Sequence, residues 1–411
     1  MALVGGPGAY AFGDEERKEL LDVMEGGYLY RYGREDDPSF KRKVITFEKE
    51  FAEYIGRKHA VAVTNGSNAL MNSLATLGIG PGDEVIVPGY TFAATLGMTI
   101  WARAIPILAE IDESLCIDPD DIEKKITEKT KAIMPVHMLG NPCDMDRIMK
   151  IAKKHNLLVI EDCCQCVGGS YKGKMVGNYG DMGAYSLNHF KTITCGDGGV
   201  VVMDDTDLYE TSFGVMDHGH KPLRTGAEIG FRSLIGYNMR MNELQGAVAL
   251  AQLRKVEKIV GTMREKKSKL KNMIKDIPGI KFRKINDEGE CNTILTILFS
   301  DKEKADKFAA AVGVKTLINS GWHVYNNMEN ILGKKTYTKI NCPFSCPYYG
   351  KEVEYHQHML PKTDSILERA INVSIGVVDA GLGAGFGINL NSSDEEITAV
   401  AKKIREVMST L

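Results

Sequence analysis

Between residue 59 and about residue 202, short apolar runs alternate with stretches that have the length and punctuation of helices. The apolar runs predict strands at residues 59–63, 84–88, 105–111, 131–136, 157–160 and 199–203. The stretches between them predict helices at residues 67–78, 91–102, 119–126 and 144–155. This alternation predicts an α/β fold with a mainly parallel central sheet and helices on both faces.

The rest of the chain predicts a second, smaller domain. A helical apolar period runs from residue 242 to about 274, and we expect it to bridge the two domains. The later pattern predicts strands at residues 293–299 and 370–378 and helices at 302–312 and 394–408, an α+β arrangement. We therefore expect a large domain at 1–255, whose N-terminal segment could pack on the small domain, and a small domain at 256–411. Residues 321–361 show no clear period and are either a substrate-covering region or an irregular insertion.

Charge and hydropathy restrict the class of partner. The chain has 51 basic and 54 acidic side chains, a net charge of −3, and no basic stripe of the kind that binds nucleic acid. No stretch approaches the ~20 apolar residues of a membrane span, and residues 1–13 lack the pattern of a secretory leader. We expect a soluble, cytoplasmic protein that binds neither nucleic acid nor membrane.

The cysteine pattern fits neither a disulfide framework nor a metal site. Nine cysteines are an odd number at low density, and three of them crowd together as Cys163, Cys164 and Cys166. Neither this cluster nor the pair Cys342 and Cys346 supplies the two C-x2-C pairs of a zinc site. We expect reduced thiols and no metal.

The segment TNGSN at residues 64–68 follows one predicted strand and opens a predicted helix. A helix N-terminus offers free N–H groups and a positive dipole end, Gly66 lets a ligand approach the backbone, and Ser67 adds a hydroxyl. These features indicate a phosphate-binding loop. The alternative is that Asn65 or Ser67 is only a helix N-cap.

The strand at 157–160 leads directly into Glu161 and Asp162. In an open α/β sheet the carboxyl ends of the strands face the ligand crevice, so at least one of these carboxylates is expected to meet a ligand. The alternative is that either residue only caps a loop. Gln165 adds a neutral amide within reach of the same crevice.

Lys191 lies in a turn between Ser186 and the Gly-rich segment 196–199. A turn lysine is usually a surface residue, but this one follows a phosphate loop and an acid along the chain. It could form a Schiff base with an aldehyde cofactor, while Asp162 keeps the ring nitrogen of that cofactor protonated. Phosphate site, acid and lysine together indicate pyridoxal 5'-phosphate.

From about residue 65 to residue 253 the sequence resembles the DegT/StrS family of sugar aminotransferases. The matching text comprises GPGDEVIVP at 80–88, TF at 91–92, PVH at 135–137, EDCCQ at 161–165, GDMG at 180–183, SLNHFK at 186–191, GDGG at 196–199 and GYNMRM at 236–241. The resemblance implies the aspartate-aminotransferase fold, which is fold type I of pyridoxal phosphate enzymes. It also implies a homodimer with shared active sites.

The resemblance further implies a role for each matching position. Lys191 is the Schiff-base lysine, and Asp162 is the partner of the ring nitrogen. The other implied cofactor contacts are the phosphate loop Gly66, Ser67 and Asn68, the phosphate ligand Ser186, the stacking ring Phe92, the amide Gln165, and Asn238, which reaches the phosphate across the dimer interface.

The implied reaction is a transamination. Glutamate is the expected amino donor, with glutamine as the alternative, and pyridoxamine 5'-phosphate then aminates the carbonyl of a keto sugar. Segments 192–196, 217–220 and 226–228 are similar to those of family members that act on a Kdo-like 8-oxo octulosonate, whereas most of the family acts on a nucleotide-linked 3- or 4-keto sugar. The candidate sugar contacts are His137, His218, His220 and His323, although a packed or solvent-facing histidine without a role is the plainer interpretation of each.

Two other functions stay open. A sugar dehydratase resembles this family but has a histidine in place of the lysine; Lys191 argues against it, while His189, two residues earlier, keeps it in view. A non-catalytic cofactor-binding scaffold could lose Lys191 or Asp162, yet this chain retains both.

Overall fold

The computed structural model describes residues 4–222, 230 and 232–411. The strands are β1 (His59–Val63), β2 (Glu84–Pro88), β3 (Ile105–Ala109), β4 (Thr130–Ile133), β5 (Leu158–Asp162), β6 (Ser170–Tyr171), β7 (Lys174–Met175), β8 (Met182–Ser186), β9 (Gly199–Met203), β10 (Lys281–Phe282), β11 (Ile294–Leu298) and β12 (Ala370–Ser374). The α-helices are α1 (Pro7–Tyr10), α2 (Asp14–Gly26), α3 (Lys43–Ile55), α4 (Gly66–Thr76), α5 (Ala93–Trp101), α6 (Pro119–Lys125), α7 (Met145–His155), α8 (Thr206–Met216), α9 (Glu243–Leu253), α10 (Val256–Ile274), α11 (Lys302–Val312), α12 (Glu329–Leu332), α13 (Pro361–Leu367) and α14 (Asp394–Met408). Within these described ranges, every helix is too short or too polar to cross a membrane.

The central sheet has seven strands in the order β1-β9-β8-β5-β4-β2-β3. Strands β8, β5, β4, β2 and β3 pair in parallel, and only β9 in this sheet runs against its two neighbours, β8 and β1. The prediction of a mainly parallel α/β sheet is therefore confirmed. The parallel strands bring their carboxyl ends to one edge of the sheet, where a ligand crevice is expected.

The central sheet is covered on both faces, because alternate side chains of one strand point to opposite sides. In β9, Val201 and Met203 belong to the apolar cluster that includes Leu70 and Leu74 of α4. Val200 and Val202 belong to the other cluster, which includes Phe47 and Phe51 of α3. All five residues of β9 are buried, as a strand between two helical layers must be.

Among the differences between the structure and the sequence prediction, two have a clear physical or structural description. Strand β8 was not predicted, because Met-Gly-Ala-Tyr-Ser has no β-branched residue and weak apolar character. Its Gly183 is required by packing, since a Cβ there would lie 2.7 Å from the Cα of Gly177. The single helix predicted from residue 242 is two helices, α9 and α10, which are separated by Arg254 and Lys255.

A second sheet, β10-β11-β12, is antiparallel and packs against α10 and α11, with α14 against both helices. Because α9 packs on α2 and α3 whereas α10 packs on α14, we propose residue 255 as the boundary between two domains. The N-terminal segment contacts both parts: Gly5 O accepts a hydrogen bond from the backbone of Val378, and Gly8 O accepts one from Gln252 Nε2.

Residues 321–361 form an extended arm that lies along the β2–β3 edge of the central sheet. At its start, Tyr325 donates its backbone N–H to Gly89 O at 3.1 Å. Further along, the Tyr349 hydroxyl donates to Glu84 at 2.7 Å, and the Tyr355 hydroxyl donates to the carbonyl of Pro106 at 2.7 Å. Only the start of the arm reaches the crevice, so most of this segment covers a sheet edge.

Candidate active site

A cavity of about 590 Å³ opens at the carboxyl ends of the central strands. Its lining comes from the segments that follow β1, β2, β4, β5 and β8, together with the arm and the turn after β12. The lining residues are Asn65, Gly66, Ser67, Leu70, Thr91, Phe92, Ala94, Thr95, Val136, Asp162, Cys164, Gln165, Ser186, Asn188, Phe190, Lys191, Asp197, Trp322, His323, Asp379 and Gly381. A second cavity of about 40 Å³ shares Gln165, Lys191 and His323 with it. The three predicted motifs therefore meet in one crevice.

The phosphate-loop segment begins helix α4 at the cavity wall. Asn65 is the N-cap, because its side-chain oxygen accepts the N–H of Asn68 at 2.8 Å. This cap leaves the N–H groups of Gly66 and Ser67 at the cavity, so capping and anion binding are compatible here. Asn68 itself is directed elsewhere: its side-chain amide donates to Thr64 Oγ1 at 2.6 Å, and it is absent from the described cavity lining. The Asn68 side chain is therefore engaged within the loop, and the contact of Asn68 with the cofactor stays a prediction.

Gly66 and Ser186 come into close contact across the base of this loop. A Cβ on residue 66 would lie 2.6 Å from Ser186 Cβ and 3.0 Å from Ser186 Oγ, so only glycine fits. Ser186 is 5% exposed and lines the cavity at the end of β8. Two helix N–H groups and a hydroxyl thus form a polar cradle with the donor chemistry of a phosphate site.

Asp162 is the buried carboxylate of the cavity. One of its oxygens accepts the hydroxyl of Thr95 at 2.8 Å, and the other accepts the N–H of Cys164 at 3.1 Å. A carboxylate has about four lone-pair positions, so Asp162 can still accept a hydrogen bond from a ligand. Sequence reasoning missed Thr95, although its spacing of three residues from Phe92 places it in the first turn of α5, next to the crevice.

Glu161 points to the opposite face of β5 and plays no part in the cavity. Its carboxylate is fully buried and accepts the backbone N–H groups of Gly177, Tyr179 and Gly180 at 2.6–2.8 Å. Burial alone would raise the pKa of Glu161, but His137 and these N–H groups hold the pKa below its usual value. Glu161 is therefore a permanent structural anion.

His137, a candidate sugar contact, is the fourth donor to Glu161 and is not among the described residues that line the cavity. Its ring is fully buried; Nδ1 accepts the N–H of Cys143 at 3.0 Å, so the proton lies on Nε2, 3.1 Å from Glu161. Cys163 is also near this pair: the three side-chain atoms that could bind a metal ion lie within 4.8 Å of one another. Burial, however, raises the pKa of the Cys163 thiol well above its usual value, which disfavours the thiolate that a metal would need. These groups are used in internal hydrogen bonds, and the cluster is a structural network.

Lys191 lines both cavities, and its backbone N–H closes a turn on Asn188 O at 2.9 Å. Across the cavity, Gln165 accepts the N–H of Leu139 through Oε1 at 3.0 Å, which leaves its amide N–H groups for a ligand. Phe92 is 40% exposed at the cavity wall, and its ring stacks on Trp322 with centroids 6.2 Å apart. The lysine, the amide and the aromatic ring are thus at one site.

His189 is held away from the cavity. Its Nε2 lies 2.8 Å from the backbone carbonyl of Val4, so this nitrogen carries the proton and donates it. His189 is not part of the described cavity lining, whereas Lys191 is.

Of the four candidate sugar contacts, only His323 lies at the cavity. It is 6% exposed, and burial together with the charge of Lys191 lowers its pKa to about 3. His220 is buried with Nδ1 3.4 Å from Asp217, and His218 is solvent-exposed; among the described lining residues neither appears. Segment 226–228, used above for the octulosonate substrate, lies outside the described residues.

Asn238 is exposed on the surface of the chain and is not among the described residues that line the cavity. Its side-chain oxygen accepts the N–H of Arg240 at 3.4 Å, and its backbone pairs with Asp217. The flanking side chains of Ile235 and Tyr237 are 99% and 63% exposed. One chain therefore does not bring Asn238 to its own candidate site.

Sequence reasoning also missed Trp322 and Asp379 in the cavity wall. Trp322 is one of only two tryptophans and is adjacent to a predicted histidine, which was an available signal. Asp379 follows β12 at a turn, where its side chain accepts the N–H of Gly381 at 2.8 Å, and no local pattern distinguishes it from any loop aspartate.

The model of the DegT/DnrJ/EryC1/StrS aminotransferase family matches residues 12–378. A GDP-perosamine synthase of Caulobacter vibrioides is 39% identical over 267 residues, which cover 63% of this chain and 69% of that protein. The spore coat polysaccharide biosynthesis protein SpsC of Bacillus subtilis is 31% identical over 405 residues, 96% of this chain and 95% of that protein. The solved structure of 3-amino-5-hydroxybenzoic acid synthase superposes with a TM-score of 0.78 at 25% identity, covering 97% of each chain.

Proposed function

Because this chain belongs to the DegT/DnrJ/EryC1/StrS aminotransferase family, we propose that it moves an amino group from glutamate to the carbonyl of a nucleotide-linked 3- or 4-keto sugar. It is a pyridoxal-phosphate-dependent sugar aminotransferase of fold type I. The likeness to GDP-perosamine synthases supports a nucleotide-linked acceptor over the Kdo-like 8-oxo octulosonate. The observation that carries the proposal is that Lys191, Asp162 and the phosphate cradle line one cavity.

The residues of the cavity fit pyridoxal phosphate. Gly66 and Ser67 offer N–H groups and Ser186 offers a hydroxyl, and a Cβ on residue 66 would clash with Ser186. Asp162 has a lone pair left for a ring N–H, and Gln165 has amide hydrogens for an oxygen of the ring. A volume of about 590 Å³ lies in the range of ligand cavities, about 300–1,000 Å³.

When bound, the cofactor supplies an aldehyde that carries the amino group and a protonated ring that accepts an electron pair. Lys191 Nζ holds the cofactor between turnovers and, as a free amine, moves the proton to and from the reacting carbon of the substrate. Asp162 keeps a proton on the ring nitrogen, and Thr95 fixes the orientation of that carboxylate. Phe92 and Trp322 form an aromatic part of the cavity wall.

A dehydratase is the weaker candidate, because His189, the histidine nearest to Lys191 in the sequence, donates to the Val4 carbonyl and Lys191 lines the cavity. We also propose a homodimer, in which Asn238 of one chain reaches the phosphate cradle of the other. Its exposure, with that of Ile235 and Tyr237, supports this arrangement.

The proposal is tested with the purified holoenzyme. Glutamate alone should remove the visible absorption band of the bound cofactor and release one equivalent of 2-oxoglutarate per site. A nucleotide-linked 4-keto sugar should then restore the band, and an 8-oxo octulosonate should restore it far more slowly. If neither glutamate nor glutamine changes the band, the protein is a scaffold; if only glutamine does, the donor is wrong; and if only the octulosonate restores the band, the acceptor class is wrong.

Lys191→Ala is the matched control for this experiment. The variant should fold normally, since Lys191 is a turn residue, but lose covalent attachment of the cofactor and turnover. Transamination at a comparable rate in this variant would remove Lys191 from the mechanism.

A further inference from the structure

The backbone of His323 is fixed against the loop that follows β2. His323 O accepts the N–H of Thr91 at 2.9 Å, and Trp322 O accepts the N–H of Ala93 at 2.9 Å. Val324 and Tyr90 form an antiparallel bridge between the same two segments. The imidazole is therefore attached to a rigid part of the cavity wall.

The hydrogen bonds of Ser320 define the tautomer of His323. The Ser320 hydroxyl is 2.6 Å from the carbonyl of Gly381, which can only accept, so the single hydroxyl hydrogen goes there. Ser320 Oγ is also 3.1 Å from His323 Nδ1, and without a second hydrogen it can only accept. Nδ1 therefore carries the proton of the ring, and Nε2 carries a lone pair.

Nε2 is the ring nitrogen that remains for a ligand. Within the part of the chain that the structure describes, Nδ1 has the hydrogen bond to Ser320 and Nε2 has none, and it is not among the fully buried polar atoms that lack a partner. His323 lines both the main cavity and its small neighbour, as Lys191 does. A fixed, uncharged hydrogen-bond acceptor thus lies beside the reacting lysine.

The two substrates differ in what they can offer to such an acceptor. Beside its amino-bearing carbon, glutamate has a carboxylate and a methylene, and neither donates a hydrogen bond at neutral pH. A keto sugar has a hydroxyl on the carbon next to its carbonyl, and so does an 8-oxo octulosonate. On the atoms next to the reacting carbon, only the sugar therefore offers a hydrogen-bond donor to the Nε2 lone pair.

We propose that His323 determines specificity for the acceptor: its Nε2 accepts a hydrogen bond from the hydroxyl group adjacent to the carbonyl that is aminated. This inference rests on the proposed function and adds the chemical feature by which the acceptor is selected. Ser320 is the positioning residue, because its hydroxyl holds the proton of His323 on Nδ1.

The two halves of the reaction are measured separately by single-turnover absorbance of the holoenzyme, first with glutamate and then with the keto sugar. His323→Leu should lower kcat/KM of the sugar half at least about tenfold more than that of the glutamate half, the loss expected for one hydrogen bond of about 1.4 kcal/mol. His323→Gln, whose amide oxygen can accept, should recover part of the difference. Equal losses in both halves would overturn the proposal.

A substrate analogue that lacks the adjacent hydroxyl tests the same hydrogen bond from the side of the substrate. The wild-type enzyme should discriminate against this deoxy analogue, and His323→Leu should lose most of that discrimination; unchanged discrimination would refute the hydrogen bond. If the wild-type enzyme does not react with glutamate at all, the proposed function fails instead.

The tautomer is tested without reference to activity, by ¹⁵N NMR of the holoenzyme with labelled histidine. The signals of His323 are those that disappear from the spectrum in His323→Gln. In the wild-type enzyme they should show Nδ1 protonated and Nε2 unprotonated, and Ser320→Ala should give a mixture of the Nδ1-protonated and Nε2-protonated tautomers. A proton on Nε2 in the wild-type enzyme would contradict the assignment of this nitrogen as the acceptor.

Discussion

At the residue scale, Glu161 and Asp162 are adjacent carboxylates with different functions, because consecutive residues of a strand face opposite sides of the sheet. Glu161 is saturated by three backbone N–H groups and His137, whereas Asp162 has two donors and faces the cavity. The number of donors and the direction of the side chain therefore separate a structural anion from one that can act on a ligand.

Asp162→Asn should bind the cofactor but transaminate slowly. The neutral amide cannot hold a proton on the ring nitrogen, and we expect a fall in kcat of at least ~100-fold, the usual size of such a contribution. Stopped-flow absorbance with glutamate measures this loss directly. A variant within a few-fold of the wild-type rate would mean that another group protonates the ring, and Glu161 is too fully engaged to be that group.

Glu161→Gln should destabilise the protein by about 3 kcal/mol, because a glutamine leaves buried N–H groups facing its own amide hydrogens. Urea unfolding followed by circular dichroism measures the change. The matched control is Asp181→Asn, which alters one exposed carboxylate that accepts a single N–H from Val159 and should cost about 1 kcal/mol or less. A larger loss of stability in the control than in Glu161→Gln would contradict this account.

At the element scale, a buried cluster of charges connects α10 to the segment that precedes β11. Lys267 of α10 lies 2.6 Å from Glu290, which is also 3.4 Å from Arg283. The Arg283 guanidinium donates to the carbonyls of Met138 and Leu139, which belong to the loop after β4. This network joins the small sheet to the region next to Gln165 at the cavity.

Glu290→Ala should lower the free energy of unfolding by about 3–5 kcal/mol, since it leaves two buried cations without a counter-ion. Chemical denaturation measures the effect. Glu303→Ala is the control: it removes the exposed pair of Glu303 with Lys307, and should change stability by less than about 0.5 kcal/mol. A similar, small effect of both substitutions would show that the buried cluster does not stabilise the contact between the two sheets.

At the scale of the whole molecule, the position of Asn238 predicts that two chains build each active site. If Asn238 reaches the phosphate cradle of a partner, the smallest active unit is a two-fold dimer with an isologous interface. The competing interpretation is that Asn238 only turns the chain before α9, as Asn commonly does.

A mixing experiment distinguishes these interpretations. Lys191→Ala chains and Asn238→Ala chains, each inactive or strongly impaired alone, are refolded together. One of the two sites in a heterodimer then contains both an intact Lys191 and an intact Asn238, so activity should reappear. If heterodimers form and activity stays at the level of the separate variants, the site is not shared.

The sequence by itself determined most of the sheet and the chemistry of the site. Strands β1, β2 and β9 begin and end where their apolar runs do, because burial between helices selects such runs. Helices α11 and α14 also match their predicted bounds, since each has a strong local start signal: Asp301 and Ser393 are their N-caps. Lys191 and Asp162 were predicted as cofactor residues because their order along the chain and a family resemblance are visible without coordinates, and the structure places both at the cavity.

Only the tertiary structure decided which polar residues face the cavity. His137 and His323 look equivalent in sequence, yet one is enclosed by Cys143 and Glu161 while the other lines the cavity beside Lys191. Trp322 and Asp379 are far from the motifs in the chain and enter the cavity wall by long-range packing of the arm and the turn after β12. Such roles depend on contacts between distant segments, and local sequence carries no signal for the direction in which a loop side chain points.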